Sequence, residues 1–219
     1  MCFNYKVSLL TFSIGTIFSI LLIKYGNIKY AMENKVSGIF LIFISLIQFM
    51  DFLFWIDINN KLGINKITTI LCPILNVGQP TILYLIKYIY YKPNIFTLKN
   101  YNLPVAILNL LYFILFVFNY TKFLSKEKLI TKEEQHHLKW PWLKYSNGYP
   151  NGYFYLILLA INMFYLFDLK YASVLFFITY LFFFISVKYF SYHVGEIWCF
   201  FGSFIPLIMF LISFNMNKL

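Results

Sequence analysis

The sequence predicts an all-α, polytopic membrane protein, about seven transmembrane helices in one bundle, and two observations carry that prediction. First, the chain is 61% hydrophobic and only 12% charged, with a mean hydropathy of +0.71, where a soluble domain is about 45–50% apolar and about 25% charged. One soluble core cannot hide that much Phe, Tyr, Leu and Ile, so lipid must act as solvent for most of the surface. Second, the apolar residues come in runs separated by short polar links, and most runs approach the ~20 residues a helix needs to cross the hydrocarbon.

The predicted spans are 7–23, 36–56, 67–90, 103–120, 153–167, 171–187 and 193–214, within a single bundle covering 1–219. Lys6 precedes the first run without a small-residue cleavage site after it, so this run reads as a retained span. Lys24, Lys29, Glu33 and Lys35 mark the first link, and Asp57–Lys66 the second. Lys87 and Lys92-Pro93 close the third span as flanking residues. Residues 121–152 form one sizeable polar loop, ending in the turn-rich Asn147–Gly152. Within it, Lys132–Lys139 is expected to form a helical turn or two at the interface, with Trp140 and Trp142 as headgroup anchors. The fifth span is short, and Asp168-Leu-Lys170 turns the chain into the sixth.

Every one of the 18 basic residues is Lys, and the net charge is +10. Bidentate phosphate and guanine contacts favour Arg, so no nucleic-acid partner is expected; the lysines instead occupy membrane flanks, and the bilayer is the expected partner. With seven crossings, ten lysines fall on the N-terminal side and eight on the other, a balance that favours a cytoplasmic N-terminus. Three cysteines, Cys2, Cys72 and Cys199, make no disulfide framework.

Seven crossings also gather polar side chains near one membrane face. Asp51 lies about 8 Å inside the N-terminal side, with Gln48 and Trp55 on its helix face at i−3 and i+4. Cys72, Asn76 and Gln79 follow a 4-then-3 spacing that makes one stripe on the third span, and Pro80 withholds the donor that the Asn76 carbonyl would use. The last span opens with His193, Glu196 and Cys199 at three-residue steps. The opposite half of the bundle is expected to hold few buried polar groups.

Gln48, Asp51, Trp55, Asn76, Gln79, His193 and Glu196 are therefore the candidates for a pocket that binds or transports a small ligand. Two other readings stand beside it. The same residues serve equally as hydrogen-bonded glue between helices in a structural or assembly protein. Alternatively His193, Glu196 and Cys199, completed by Asp51, His136 or His137, hold zinc in a membrane hydrolase, since three such ligands plus water make a catalytic site. Neither an HExxH nor a CxxC signature is present, and no GxSxG elbow marks a nucleophile, so no catalytic residue and no cofactor are predicted on the residues alone.

Short pieces along the whole chain carry a resemblance. They are Met1-Cys2, Gln48-Phe-Met-Asp-Phe-Leu-Phe-Trp55, Asn76-Val-Gly-Gln-Pro80, His137-Leu-Lys-Trp140 and Gly195-Glu-Ile-Trp-Cys-Phe200. Together they resemble a family of uncharacterised multi-span membrane proteins of giant DNA viruses, algae and protists. The resemblance implies a heptahelical fold and a host or viral membrane, and it implies no activity. Alkaline ceramidase-like hydrolases hold zinc with three His, whereas this chain has three His in all, two of them adjacent in a loop. Heptahelical receptors carry Asn-Pro-x-x-Tyr in the last span, which is absent, and the triple-helix repeat of small sugar transporters is not found.

Overall fold

The computed structural model describes residues 4–126, 128–134, 137–146, 151–190 and 194–215. Among them the helices are α1 (Tyr5–Tyr25), α2 (Ala31–Ile56), α3 (Ile64–Val77), α4 (Gln79–Tyr91), α5 (Asn102–Lys126), α6 (Leu143–Ser146), α7 (Asn151–Phe164), α8 (Leu169–Tyr189), α9 (Val194–Gly202) and α10 (Ile205–Asn215). A two-stranded hairpin, β1 (Lys132–Glu134) with β2 (His137–Lys139), lies between α5 and α6.

Five helical segments are long and apolar enough to cross a membrane: α1, α2 with its leading turn, α5, α8, and α9 continuing into α10. A sixth is added if α3 and α4, bent by 64° across their junction, count as one. The apolar helix of residues 152–164 is shorter. Ile17, Leu110, Phe177 and Phe184 are each more than half exposed, as side chains solvated by lipid would be. This marks a membrane protein.

Local chemistry starts and stops these helices. The Asn4 side chain accepts from the N–H groups of Lys6 and Val7, and Asp168 accepts from Lys170 and Tyr171; each satisfies donors that no preceding turn can reach. Gly63 begins α3 at φ 75°, a left-handed conformation that costs glycine little. Between α3 and α4, Pro80 lacks the N–H that would continue the ladder, and the helix breaks at Gly78.

Packing centres on α2, which touches α1, α3, α4, α9 and α10. The side of α1 that faces inward is Ser8, Thr11, Gly15, Ser19 and Leu22, spaced three or four apart. Small residues at that spacing let helix backbones approach closely, which is how packing stabilises helices in lipid.

Several expectations need correction. Lys132–Glu134 and His137–Lys139 are antiparallel strands, pairing Lys132 with Lys139 and Glu134 with His137, instead of helical turns. α5 runs six residues into the expected loop, to Lys126. Trp140 and Trp142 are each 2% exposed: they stack with centroids 5.2 Å apart, and Trp142 packs on Phe54 and Phe123. They plug the bundle rather than anchor at headgroups. Thr131 ties this segment down, its N–H donating to Asn65 Oδ1 at 2.9 Å while Asn65 Nδ2 returns a bond to its carbonyl at 2.9 Å. The Glu134–Lys139 ion pair is more than half exposed on both sides, so it contributes ~0–1 kcal/mol at most.

The opposite half of the bundle is also richer in polar groups than expected. Asn27, Asn34, Lys87, Asn102, Asn109 and Asn162 are all buried. Asn109 and Asn162 exchange amide bonds at 3.0 and 2.8 Å, and Asn162 Nδ2 also donates to the Pro80 carbonyl. Lys87 is 0% exposed, not a flank. Its Nζ donates to the carbonyls of Asn162, Met163 and Tyr165, at the end of α7. These carbonyls are left over because Leu166, at φ 64°, turns the chain out of the helix.

The link between α2 and α3 depends on one carboxylate. Asp57 ends α2 and accepts from the N–H groups of Leu62 at 3.0 Å and Asn65 at 3.2 Å. Burial pushes its pKa up, but the backbone donors of Leu62, Asn65, Lys61 and Ile64 outweigh this and hold it below the ordinary carboxylate value. Because the folded pKa is the lower one, the stabilisation is complete above the unfolded value of about 3.9 and disappears as pH falls through the folded value. Thermal unfolding in detergent should show this acid-side loss in the wild type and a flatter profile in Asp57→Asn; identical profiles would contradict the assignment.

Candidate functional site

The residues predicted to line a pocket are engaged mainly with one another and with neighbouring helices. Gln48 accepts from the Thr11 hydroxyl of α1 at 3.0 Å and donates to Asp51 Oδ2 at 3.4 Å. Asp51 is completely buried. Trp55 is half-buried against the cluster that holds Cys72, Cys199, Trp140 and Trp142. Asn76 donates to the Cys199 sulfur at 3.6 Å, joining α3 to α9. Glu196 is 3% exposed on α9.

The stripe read along the third span is divided. Cys72 and Asn76 stay on α3, but the break at Gly78 puts Gln79 at the head of α4, where it accepts from the Tyr155 hydroxyl of α7 at 2.6 Å. The broken backbone is satisfied by side chains from two other helices. Tyr112 of α5 donates to the Val77 carbonyl at 2.7 Å, and Asn162 of α7 reaches the Pro80 carbonyl at 2.9 Å. Irregular backbone at membrane depth persists where protein buries it and supplies such partners.

Of the proposed metal ligands, His136 and His193 lie outside the described residues, as does Cys2. His137 is in β2, half-buried, while Glu196 and Cys199 are on α9. Among the described residues, no three His, Cys, Asp or Glu side chains converge on a position for an ion.

Beside this cluster is a cavity of about 420 Å³. Its walls are Asn76 and Val77 of α3, Tyr153, Tyr155 and Leu156 of α7, Phe183 and Val187 of α8, and Val194, Gly195 and Trp198 of α9, with Leu143 of α6 closing one side. Aromatic rings pin these walls. Trp198 meets Tyr155 edge-on at 5.9 Å and Phe183 at 5.1 Å, and its indole N–H donates to the Thr179 carbonyl at 3.2 Å. The hydroxyl of Tyr155 and the indole of Trp198 are therefore already committed, whereas the Asn76 amide oxygen has no hydrogen-bond partner among the described residues. Of the described members of the predicted set, Asn76 lines the cavity, whereas Gln48, Asp51, Trp55, Gln79 and Glu196 do not.

No family model matches the chain, and neither a curated protein nor a solved structure is significantly similar to it. What the site can do must be argued from its own geometry.

Sequence reasoning missed the walls from α7 and α8. Tyr155, Leu156, Phe183 and Val187 look like any lipid-facing residues of an apolar run, because in lipid the inner and outer faces of a helix differ little in hydrophobicity. Two signals were readable: the aromatic density of Phe182–Phe184, and Trp198 sitting two residues after Glu196.

Proposed function

We propose that this protein is a seven-crossing integral membrane protein that binds a small ligand in the cavity between α3, α7, α8 and α9, acting as a carrier or a receptor-like binder. The observation that carries the reading is the cavity itself. Its volume of about 420 Å³ is in the range of small-molecule sites, and an apolar lining with few placed polar groups is their usual composition. The seventh crossing in this reading is α7. Its 14 residues reach about 21 Å, short of a hydrocarbon core about 30 Å thick. Protein covers its far end, where Lys87 takes the last carbonyls, and Leu143 closes the cavity beside its first turns; that is the condition for a short helix at membrane depth. With Lys87 used inside the bundle, ten lysines face seven across the membrane, which supports a cytoplasmic N-terminus.

A second reading, a structural or assembly membrane protein without a ligand, is supported by the bonds that Gln48, Asn76 and Gln79 make across helices. One experiment separates the two. Native mass spectrometry of detergent-purified protein should find a small molecule retained by the wild type and lost from a cavity-filling variant, Leu156→Phe with Val194→Phe, while circular dichroism keeps the helix content unchanged. Equal occupancy in both proteins, including none in either, counts against the binder and favours the structural reading.

A further inference from the structure

Resting on that binding reading, we infer that the cavity takes a neutral amphipath, an apolar chain or ring system carrying a hydroxyl-type head that donates a hydrogen bond to the Asn76 amide oxygen. Three observations point to this class. Among the described lining residues there is no ionisable side chain other than tyrosine, so a charged head would leave water without meeting an opposite charge.

The second observation is the accounting of polar atoms. Tyr155 and Trp198 spend their donors on Gln79 and Thr179, and Asn76 spends one of its two N–H groups on Cys199. What remains of the Asn76 amide is its oxygen and its second N–H, both without a partner among the described residues, and a hydroxyl can answer either. A carbonyl-type acceptor in an apolar wall selects a ligand that brings its own donor, since a ligand without one leaves the acceptor desolvated and unpaired.

The third observation concerns the direction of entry. Tyr153 at the start of α7 and Val187 near the end of α8 both line the cavity, and they are 52% and 42% exposed. These exposed lining residues put an opening of the cavity beside α7 and α8. A ligand whose head is held at Asn76 has Phe183, Leu156 and Trp198 to take its chain.

The test uses one chain with three heads. Tetradecanol, tetradecanoate and tetradecylamine, each brominated beside the head group, are titrated into the protein in lipid nanodiscs at a pH where the acid is ionised and the amine protonated. Quenching of Trp198 fluorescence is read as the difference between wild type and Trp198→Phe. The alcohol should quench saturably, and Asn76→Leu should weaken it about three- to tenfold, the worth of one neutral hydrogen bond. The acid and the amine should bind at least about tenfold more weakly than the alcohol. If the acid or the amine matches the alcohol and Leu156→Phe/Val194→Phe blocks it, the ligand class is wrong while the cavity remains a binding site. If Asn76→Leu leaves the alcohol unchanged, Asn76 is not the head anchor and the inference fails. If no probe quenches in a way that the filled cavity blocks, the inference and the binding reading fail together.

Discussion

Lys87→Met is expected to lower stability by about 3 kcal/mol, with the loss concentrated where α4 meets α7. Methionine is close in volume, so the packing of the stem is largely kept; what disappears is the head. Lys87 Nζ donates to three carbonyls, those of Asn162, Met163 and Tyr165. The ammonium form has three N–H groups, one for each of these acceptors. The positive charge also sits at the negative end of α7, where a cation is favoured, and it lies 3.3 Å from the centroid of the Phe167 ring.

Magnitude decides between two precedents. Interhelical polar contacts in membranes average ~0.6 kcal/mol, which would make three of them worth ~2 kcal/mol. Hydrogen bonds to charged groups are worth ~1.5–3 kcal/mol each, and breaking a buried charged contact costs ~3–5 kcal/mol. Lys87 is fully buried and its acceptors have no water to turn to, so the result should exceed the first figure and approach the second. Unfolding by SDS titration, followed by circular dichroism, measures it. Lys87→Gln, which keeps two donors, should recover part of the loss. A Lys87→Met protein as stable as wild type would mean that α7 is held by something else.

Gly15→Leu should cost at least about 3 kcal/mol by separating α1 from α2. Even the single carbon of alanine, placed at Gly15, would stand 2.2 Å from Ser45 Oγ, 3.0 Å from Ser45 Cβ and 3.2 Å from the Ser203 carbonyl oxygen. Ser45 cannot easily swing away, because its hydroxyl donates to the Leu41 carbonyl at 2.9 Å. Overpacking of this kind costs ~1–3 kcal/mol per site even for modest insertions. Here it also opens an interface whose stability comes from close approach of backbones. The milder Gly15→Ala provides the control: combined with Ser45→Gly, it should regain most of what it loses alone, a coupling that a double-mutant cycle reads directly. Additive losses would show that the two positions do not meet.

The smooth apolar face of α1 explains how such an interface escapes a reading by hydropathy. Ser8, Thr11, Gly15 and Ser19 recur at helical spacing, but they interrupt an apolar run too little to mark a packing face. Gln48 and Asp51 stand out strongly, and their shared helix face was legible; the partner they found, Thr11, carries no signal of its own. The expected one-sidedness of the polar groups failed for a specific reason. Lys87 sits where a flanking lysine would sit in a straight span, and the 64° bend between α3 and α4, together with the early end of α7, brings carbonyls to it instead.

From its composition and the spacing of its apolar runs, the chain determines by itself that it is helical, that lipid is its solvent, and roughly where most of its helices begin and end, because each of these depends on residues close together in sequence. Tertiary structure alone decided that Gln79 parts company with Asn76, that Trp140 and Trp142 turn inward, and that Asn76 comes to line the cavity beside α7 and α8. In lipid the apolar residues look alike from either side of a helix, and many decisive partners are backbone carbonyls, which every residue owns and no sequence pattern marks.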